Sequence, residues 1–364
     1  MAKNILFAIS SLGLGHATRS LPLINHYSND NKIFIVSTGN TLRFLKNELK
    51  NNKKVKFFDL EDLPPLERGL GAMFYFYLIS DSIKAIFTIK KEHIFCEEFI
   101  KKNKIDFIIS DVRYGFYSRD VPSFVITHQI NLILPRGFGF LKPIVSYFQY
   151  LSLRNFELVF IPDFKNWNKN LSGKLSHNSL TDKLNVKFIG ILSSYKKEKM
   201  KQDIDYYFII SGYIKDNKES FIKNLIEQSK RLNGKKVFVL GETNQKYHKI
   251  DKKNNIEIYS SVSGKLRNNL MNRAKIVISR SGYTTIMDLV ELGKKGLIAP
   301  TPNQTEQEYL ANYLYKYFTS FDSTQDFDLA KLINKARKSK VFISKNKTED
   351  SLKTIIKTID NFKQ

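Results

Sequence analysis

"SRSGYTTIMDL", Ser279 to Leu289, joins two patterns that decide the fold. The apolar run Lys275-Ile276-Val277-Ile278 has strand character, and an amphipathic helical pattern follows it to Leu292. The smallest residues, Ser281-Gly282, stand where strand hands over to helix. A partner stretch, "SSLGLGHATRS" from Ser10 to Ser20, repeats the arrangement after the apolar run Ile5 to Ile9.

Working outward, short β-rich runs alternate with helical patterns along the chain. The first half offers strands at Asn4–Ile9, Lys32–Ser37, Val55–Phe58, Phe107–Ser110, Ser123–Thr127 and Leu158–Ile161. The second offers Tyr206–Ile210, Lys236–Leu240, Ile256–Tyr259, Ile276–Ser279 and Gly296–Ala299. Nearly continuous apolar strands separated by helices predict parallel sheets covered on both faces. Two such halves predict an α/β chain of two doubly wound domains, 1–192 and 204–343, joined through the charged, apolar-poor "SSYKKEKMKQD" (Ser193 to Asp203). Residues 344–364 read as a last helix with Leu352, Ile355, Ile356 and Ile359 along one stripe, placed to pack back across the join.

The 364 residues suit two domains, and an apolar fraction of 42% is that of a globular protein. A single cysteine, Cys96, excludes an internal disulfide and fits a reducing compartment. The start "MAKNILFAISSLGLGHATR" superficially resembles a signal peptide, but its apolar stretch is short and runs into a glycine turn. No segment reaches the roughly 18 apolar residues of a membrane span. These features predict a cytoplasmic or peripheral protein. The net charge of +24 has two readings: a lysine-rich solvated surface, or attraction to an anionic lipid face, phosphorylated substrate or nucleic acid. Zinc-finger spacing, aromatic ribonucleoprotein motifs and a basic helix-turn-helix are all missing, which disfavours nucleic acid.

In open parallel sheets, ligands sit beyond the carboxyl ends of strands, where helix N-termini offer unpaired N–H groups and partial positive charge. Glycine lets a ligand approach the backbone, so Ser281-Gly282 reads as a pyrophosphate seat with Arg280 beside it. Ser281, Thr284 and Asp288 share one helix face. Six residues beyond Gly282 is roughly 9 Å of rise, within reach of a ribose; a surface carboxylate is the plainer account of Asp288. In "APTPNQTEQEYLAN" (Ala299 to Asn312), Thr305 and Glu308 have the spacing of a capping box, while Glu306 and Gln307 offer groups suited to sugar hydroxyls. Tyr309, Leu310, Tyr313 and Tyr317 read as the buried side of that helix.

These stretches, with "GLGHATR" near the start, resemble the family 28 glycosyltransferases, which include the MurG-type N-acetylglucosaminyltransferases. The resemblance implies the GT-B fold, two Rossmann-like domains facing across a cleft. The C-terminal one would bind a nucleotide-diphosphate sugar, usually UDP-linked, and the N-terminal one the acceptor. It assigns Ser281 and Gly282 to the phosphate turn, Asp288 to the acidic ribose ligand (commonly glutamate in MurG-type enzymes), and Glu306 and Gln307 to the sugar. Ser211-Gly212 occupy the place of a second glycine-rich loop, without the fuller Gly-Gly-Ser run. Gly13, Gly15 and His16 match the acceptor-side loop. "THQIN" is similar to a His-Glu-Gln-Asn stretch, through His128 and Asn131.

The family inverts configuration by single displacement, so a base must activate the acceptor hydroxyl; His16 is the first candidate and Asp111, ending a strand, the second. The expected reaction needs no cofactor beyond the nucleotide sugar. No metal is expected, because no Asp-x-Asp pair ends a strand where a metal-dependent transferase would carry it. The transferred group would be a hexose or N-acetylhexosamine, and the acceptor a lipid-linked or cell-envelope glycan. "GLGAMFYFYLIS" (Gly69 to Ser80) and "LPRGFGFLKPIVSYFQYLSLR" (Leu134 to Arg154) mix aromatics with basic residues, suiting an anionic membrane face or a buried helix with a basic rim. Alternatives are a nucleotide-sugar 2-epimerase of the same architecture and a non-catalytic sugar-binding subunit.

Overall fold

The computed structural model describes residues 2–62, 72–210, 218–242 and 246–362, with the backbone alone for residues 72–83. The chain divides into two units, Met1–Ser194 with Asn346–Gln364, and Tyr195–Lys345.

In the first unit the order is β1 (Asn4–Ile9), α1 (Leu14–Tyr27), β2 (Lys32–Ser37), α2 (Gly39–Glu48), β3 (Val55–Asp59), α3 (Ala72–Asn103), β4 (Phe107–Asp111), β5 (Ser123–Ile126), α4 (Lys142–Leu153), β6 (Leu158–Ile161) and β7 (Val186–Phe188). The second contains β8 (Ile204–Ile209), α5 (Lys218–Ser229), β9 (Lys236–Val239), β10 (His248–Asp251), β11 (Ile256–Tyr259), α6 (Gly264–Arg273), β12 (Ala274–Arg280), α7 (Tyr283–Leu292), β13 (Lys295–Ala299), α8 (Thr305–Tyr313), β14 (Thr319–Ser320) and α9 (Leu329–Lys338). A last helix, α10 (Thr348–Asp360), belongs to the first unit.

Alternation along β1 explains the layering. Ile5, Phe7 and Ile9 join a core formed with α1, α2 and α10, whereas Leu6 and Ala8 join another with Cys96, Phe99 and Ile100 of α3. Burying each large apolar side chain contributes about 1.5–3 kcal/mol, so a strand buried on both faces is held from both sides. The apolar stripe on α10 faces the core: Ile355 and Ile359 lie in the first core, and Phe362 meets the edge of Phe124 at 5.3 Å. The close approach is made at Gly190, whose φ of +83° and the Ser351 hydroxyl beside it leave no place for a side chain.

Among the described residues the strand orders are β3-β2-β1-β4-β5-β6-β7 and β10-β11-β9-β8-β12-β13-β14. All pairs are parallel except β10 with β11, an antiparallel edge. Three strands escape the sequence reading, β7, β10 and β14. They are short edge pieces with few apolar residues, so they lack the continuous pattern of a buried strand. Each sheet reverses its direction of winding once, between β1 and β4 and between β8 and β12. The carboxyl ends of strands beside such a reversal are where doubly wound sheets bind ligands.

Candidate active site

At the first reversal, Gly13 precedes α1 with φ 112° and ψ 153°, a conformation open to glycine. It sets Gly15 and His16 in the first helical turn. Asp62 holds the approach to this turn, accepting from the Ser10 hydroxyl at 3.0 Å and from the Ser11 amide. Asp111 ends β4 directly opposite Ile9. Val112 then turns the chain at φ 61°, a left-handed conformation costly for a β-branched residue.

The two candidate bases are joined by this geometry. His16 Nδ1 lies 2.7 Å from Asp111 Oδ1 and 3.1 Å from Arg19 Nη2. Guanidinium only donates and carboxylate only accepts, so the shorter contact assigns Nδ1–H to Asp111 and leaves Nε2 with a lone pair. Arg19, 1% exposed, donates through Nε to Asp111 Oδ2 at 2.8 Å and through Nη2 to Oδ1; the Ser20 hydroxyl adds a bond to Oδ2 at 2.8 Å. Burial by itself would raise the Asp111 carboxyl, but the Arg19 charge, then His16 and the bonds from both, hold it well below the usual carboxylate range. His128 joins through Nδ1, which accepts from Arg19 Nη1 at 3.2 Å and so leaves the His128 proton on Nε2. Asn131 is tied elsewhere: its amide donates to Leu175 O at 2.8 Å and its side chain to Lys174 O at 3.1 Å.

At the second reversal, β12 ends at Arg280 and α7 begins at Tyr283, with Gly282 at the N-cap offering no side chain of its own. Gly282 has φ −65° and ψ 140°, which any residue adopts, and a Cβ placed there would meet nothing within 4 Å among the described residues. Neither its backbone nor packing among the described residues requires this glycine. Ser281 is fully buried and its hydroxyl donates to Gln307 O at 2.9 Å, tying the start of α7 to α8. Arg280 donates through Nη1 to Pro300 O at 3.0 Å and to the Ser323 hydroxyl at 2.9 Å. Burial lowers its guanidinium to about 10.

Thr284 is half-buried, and Asp288 is buried and already engages other protein groups, so the surface-carboxylate account of Asp288 falls. Glu306 lies half-buried in the first turn of α8, also with a protein contact. Gln307 closes the preceding turn, its Oε1 accepting from Thr301 N at 2.9 Å and its Nε2 donating to Gln304. The capping box expected from Thr305 and Glu308 does not form. Gln304 takes the N-cap position and Thr305 is the first helical residue, one place out of register for that pairing. Leu310 is buried as expected, whereas Tyr309, Tyr313 and Tyr317 are half-buried, and Ala311 and Leu314 complete the inward face. Ser211 and Gly212 lie outside the described residues, as do Gly69 to Gly71 and the side chains of the helical part of that aromatic stretch.

Two further residues belong with the first cluster. Arg19 follows His16 by three positions, a spacing that puts both on one helix face and was legible in "GHATR". Asp62 carries no local signal.

Two largely parallel, doubly wound sheets, each with a glycine turn at its reversal, are the architecture of the GT-B fold, and solved structures agree. The chain matches the glycotransferase of kitacinnamycin at TM-score 0.59 and 13% identity, covering 99% of this chain and 95% of that one. It matches MurG of Acinetobacter baumannii at TM-score 0.52 and 12% identity, covering 98% and 99%. The spinosyn rhamnosyltransferase SpnG, complexed with thymidine diphosphate, matches at 0.57 and 11%, covering 98% and 100%. At such identities the likeness is one of fold. Residues 214–361 match the glycosyltransferase family 28 C-terminal domain. The chain is a glycosyltransferase, and the likeness to family 28 is carried by residues 214–361. A comparison with curated proteins finds no match.

Proposed function

We propose that the protein inverts configuration in moving a hexose or N-acetylhexosamine from a nucleotide-diphosphate sugar to a hydroxyl of a lipid-linked or cell-envelope glycan. The observation that carries this reading is the 2.7 Å contact between His16 Nδ1 and Asp111 Oδ1, which leaves Nε2 as a base. The acceptor O–H gives its proton to His16 Nε2 as its oxygen bonds the anomeric carbon. The bond from that carbon to the diphosphate breaks, and its electron pair stays on the diphosphate oxygen. Asp111, kept ionised by Arg19, orients the imidazole and stabilises its charged form, the role of the buried carboxylate in other histidine-based sites. His128, with its proton on Nε2, is suited to donate to the acceptor.

In the second unit, the glycine N-cap of α7, open among the described residues, supports a diphosphate seat. Arg280 beside it supplies the positive charge that a metal provides in other transferases. Thr284, Asp288 and Glu306 line up behind that seat in sequence and take the ribose and sugar. The nucleotide is uridine on the family resemblance, and thymidine diphosphate in the SpnG structure supports a nucleoside diphosphate in general. His16→Ala tests the reading. Loss of a general base lowers kcat by about 10²–10⁴, and transfer at a near-native rate would remove His16 from the mechanism.

Lipid linkage of the acceptor rests on the surface of the first unit. Phe140, Ile144, Tyr147 and Phe148 are exposed around α4 beside exposed Arg136, Lys142 and Arg154. On α3, Ile86, Phe87 and Ile94 are exposed among Lys90 and Lys91. Among the described residues no helix is long and apolar enough to cross a membrane. Apolar residues rimmed by cations fit the cytoplasmic face of an anionic bilayer. The protein is expected to sediment with anionic but not with zwitterionic vesicles, and Phe140→Ser with Phe148→Ser to stay in solution; equal behaviour on both vesicles would refute the docking.

A further inference from the structure

Two cations near the reversal of the second sheet, Arg280 and Lys218, have no anion bound to them among the described residues. Arg280 is 9% exposed, with Nη1 bonded to Pro300 O and the Ser323 hydroxyl and its guanidinium 4.0 Å from the centre of the Phe221 ring. Its Nε and Nη2 make no bond among the described residues. Lys218, half-buried on α5, donates from Nζ to Leu240 O at 2.9 Å and makes no other bond among them. Phe221 follows Lys218 by three positions, so the ring that stacks on Arg280 rises from the same face of α5 as the lysine.

This placement works against both charges. Buried cations are normally paired with carboxylates, yet neither Lys218 nor Arg280 forms an ion pair among the described residues. Glu242, the opposing charge that acts on Lys218, accepts from the Tyr247 hydroxyl at 2.9 Å. Burial lowers the Lys218 ammonium, Glu242 partly restores it and Arg280 lowers it again. Leu240 follows β9 and Pro300 follows β13, so the two cations flank the carboxyl ends of β8 and β12, where the sheet reverses. The open side of Gly282 lies at that same end.

We infer that Lys218 and Arg280 together grip the diphosphate of the sugar donor, making Lys218 a substrate-binding residue that no motif announces. The inference rests on the glycosyltransferase reading of this site and deepens it. An anion between the cations would relieve their repulsion, oppose the cost of their burial and hold the charge that develops as the sugar departs.

Inorganic pyrophosphate is the probe, because it has no base or sugar to mask the effect. Calorimetric titration of the full chain should show binding that Lys218→Met weakens tenfold or more and Lys218→Arg restores to within a few-fold. Lys223→Met, an exposed lysine on the same helix, should bind as the parent does. Steady-state turnover of Lys218→Met should show both a raised KM for the sugar donor and a lowered kcat, a pattern that loss of helix stability alone does not produce. Unchanged pyrophosphate affinity in a folded Lys218→Met protein would overturn the role of Lys218 and leave the enzyme reading standing. If the parent protein bound neither pyrophosphate nor any nucleoside diphosphate, both would fall.

Discussion

Replacing Asp111 with asparagine separates orientation of the base from proton transfer. The carboxylate accepts from Arg19 Nε at 2.8 Å, Ser20 Oγ at 2.8 Å, His16 Nδ1 at 2.7 Å and Arg19 Nη2. An amide of the same shape has one oxygen and one NH₂ group. If NH₂ takes the Oδ1 position, it confronts Arg19 Nη2 and forces His16 to accept at Nδ1, which moves the imidazole proton to Nε2 and disables the base. If it takes the Oδ2 position, it confronts Arg19 Nε. In both cases a guanidinium 1% exposed loses its counter-ion, at a cost of about 3–5 kcal/mol. In a unit of about 200 residues each kcal/mol is roughly 2–4 °C, so Tm should fall by roughly 6–20 °C. Transfer measured well below that Tm should drop by about 10⁴ in kcat, as when a triad carboxylate is made an amide, with affinity for the sugar donor unchanged. The pH dependence has a definite sign. Because the folded Asp111 carboxyl lies below its unfolded value of about 4, its stabilisation is complete above that pH and is lost as pH falls through the folded value. The Tm gap between parent and variant should therefore be full at neutral pH and close in acid. A folded Asp111→Asn protein with kcat within about threefold of the parent would refute the coupling of His16 to Asp111, since a general base alone is worth about 10²–10⁴.

Gly282→Ala should fold normally, and gain up to about 1 kcal/mol from a less flexible unfolded chain, while nucleoside diphosphate binding weakens by about tenfold, the 1–3 kcal/mol typical of an intruding methyl; equal affinity by calorimetry would mean that nothing approaches this backbone. Ser281→Ala should cost about 1 kcal/mol in chemical denaturation through the lost bond to Gln307 O. Its affinity for the sugar donor should hardly change, and a large loss would return the hydroxyl to the ligand.

The sequence made the sheets legible because buried parallel strands are continuous apolar runs, and it hid β7, β10 and β14 because edge strands need no such run. The glycine turns were legible for a related reason: a handover from strand to helix is local. Side-chain partners are not local. Asp111 stands 95 residues from His16, and His128 stands 109 from Arg19, so spacing presented His16 and Asp111 as rival bases where the fold makes them one pair. Polar residues at turns raise a different difficulty, since a hydroxyl or amide suits a ligand and a loop equally well. Ser281 and Gln307 turn out to hold α7, α8 and the Thr301–Gln304 turn together. The glycines themselves divide in the same way. Gly13 is demanded by its own backbone at φ 112°, so its presence says nothing about a ligand. Gly282 is demanded neither by its φ of −65° nor by any described neighbour within 4 Å. A residue with the smallest side chain, at a helix start, in a place where the described residues leave room for a larger one, is explained by what must come close to it from outside.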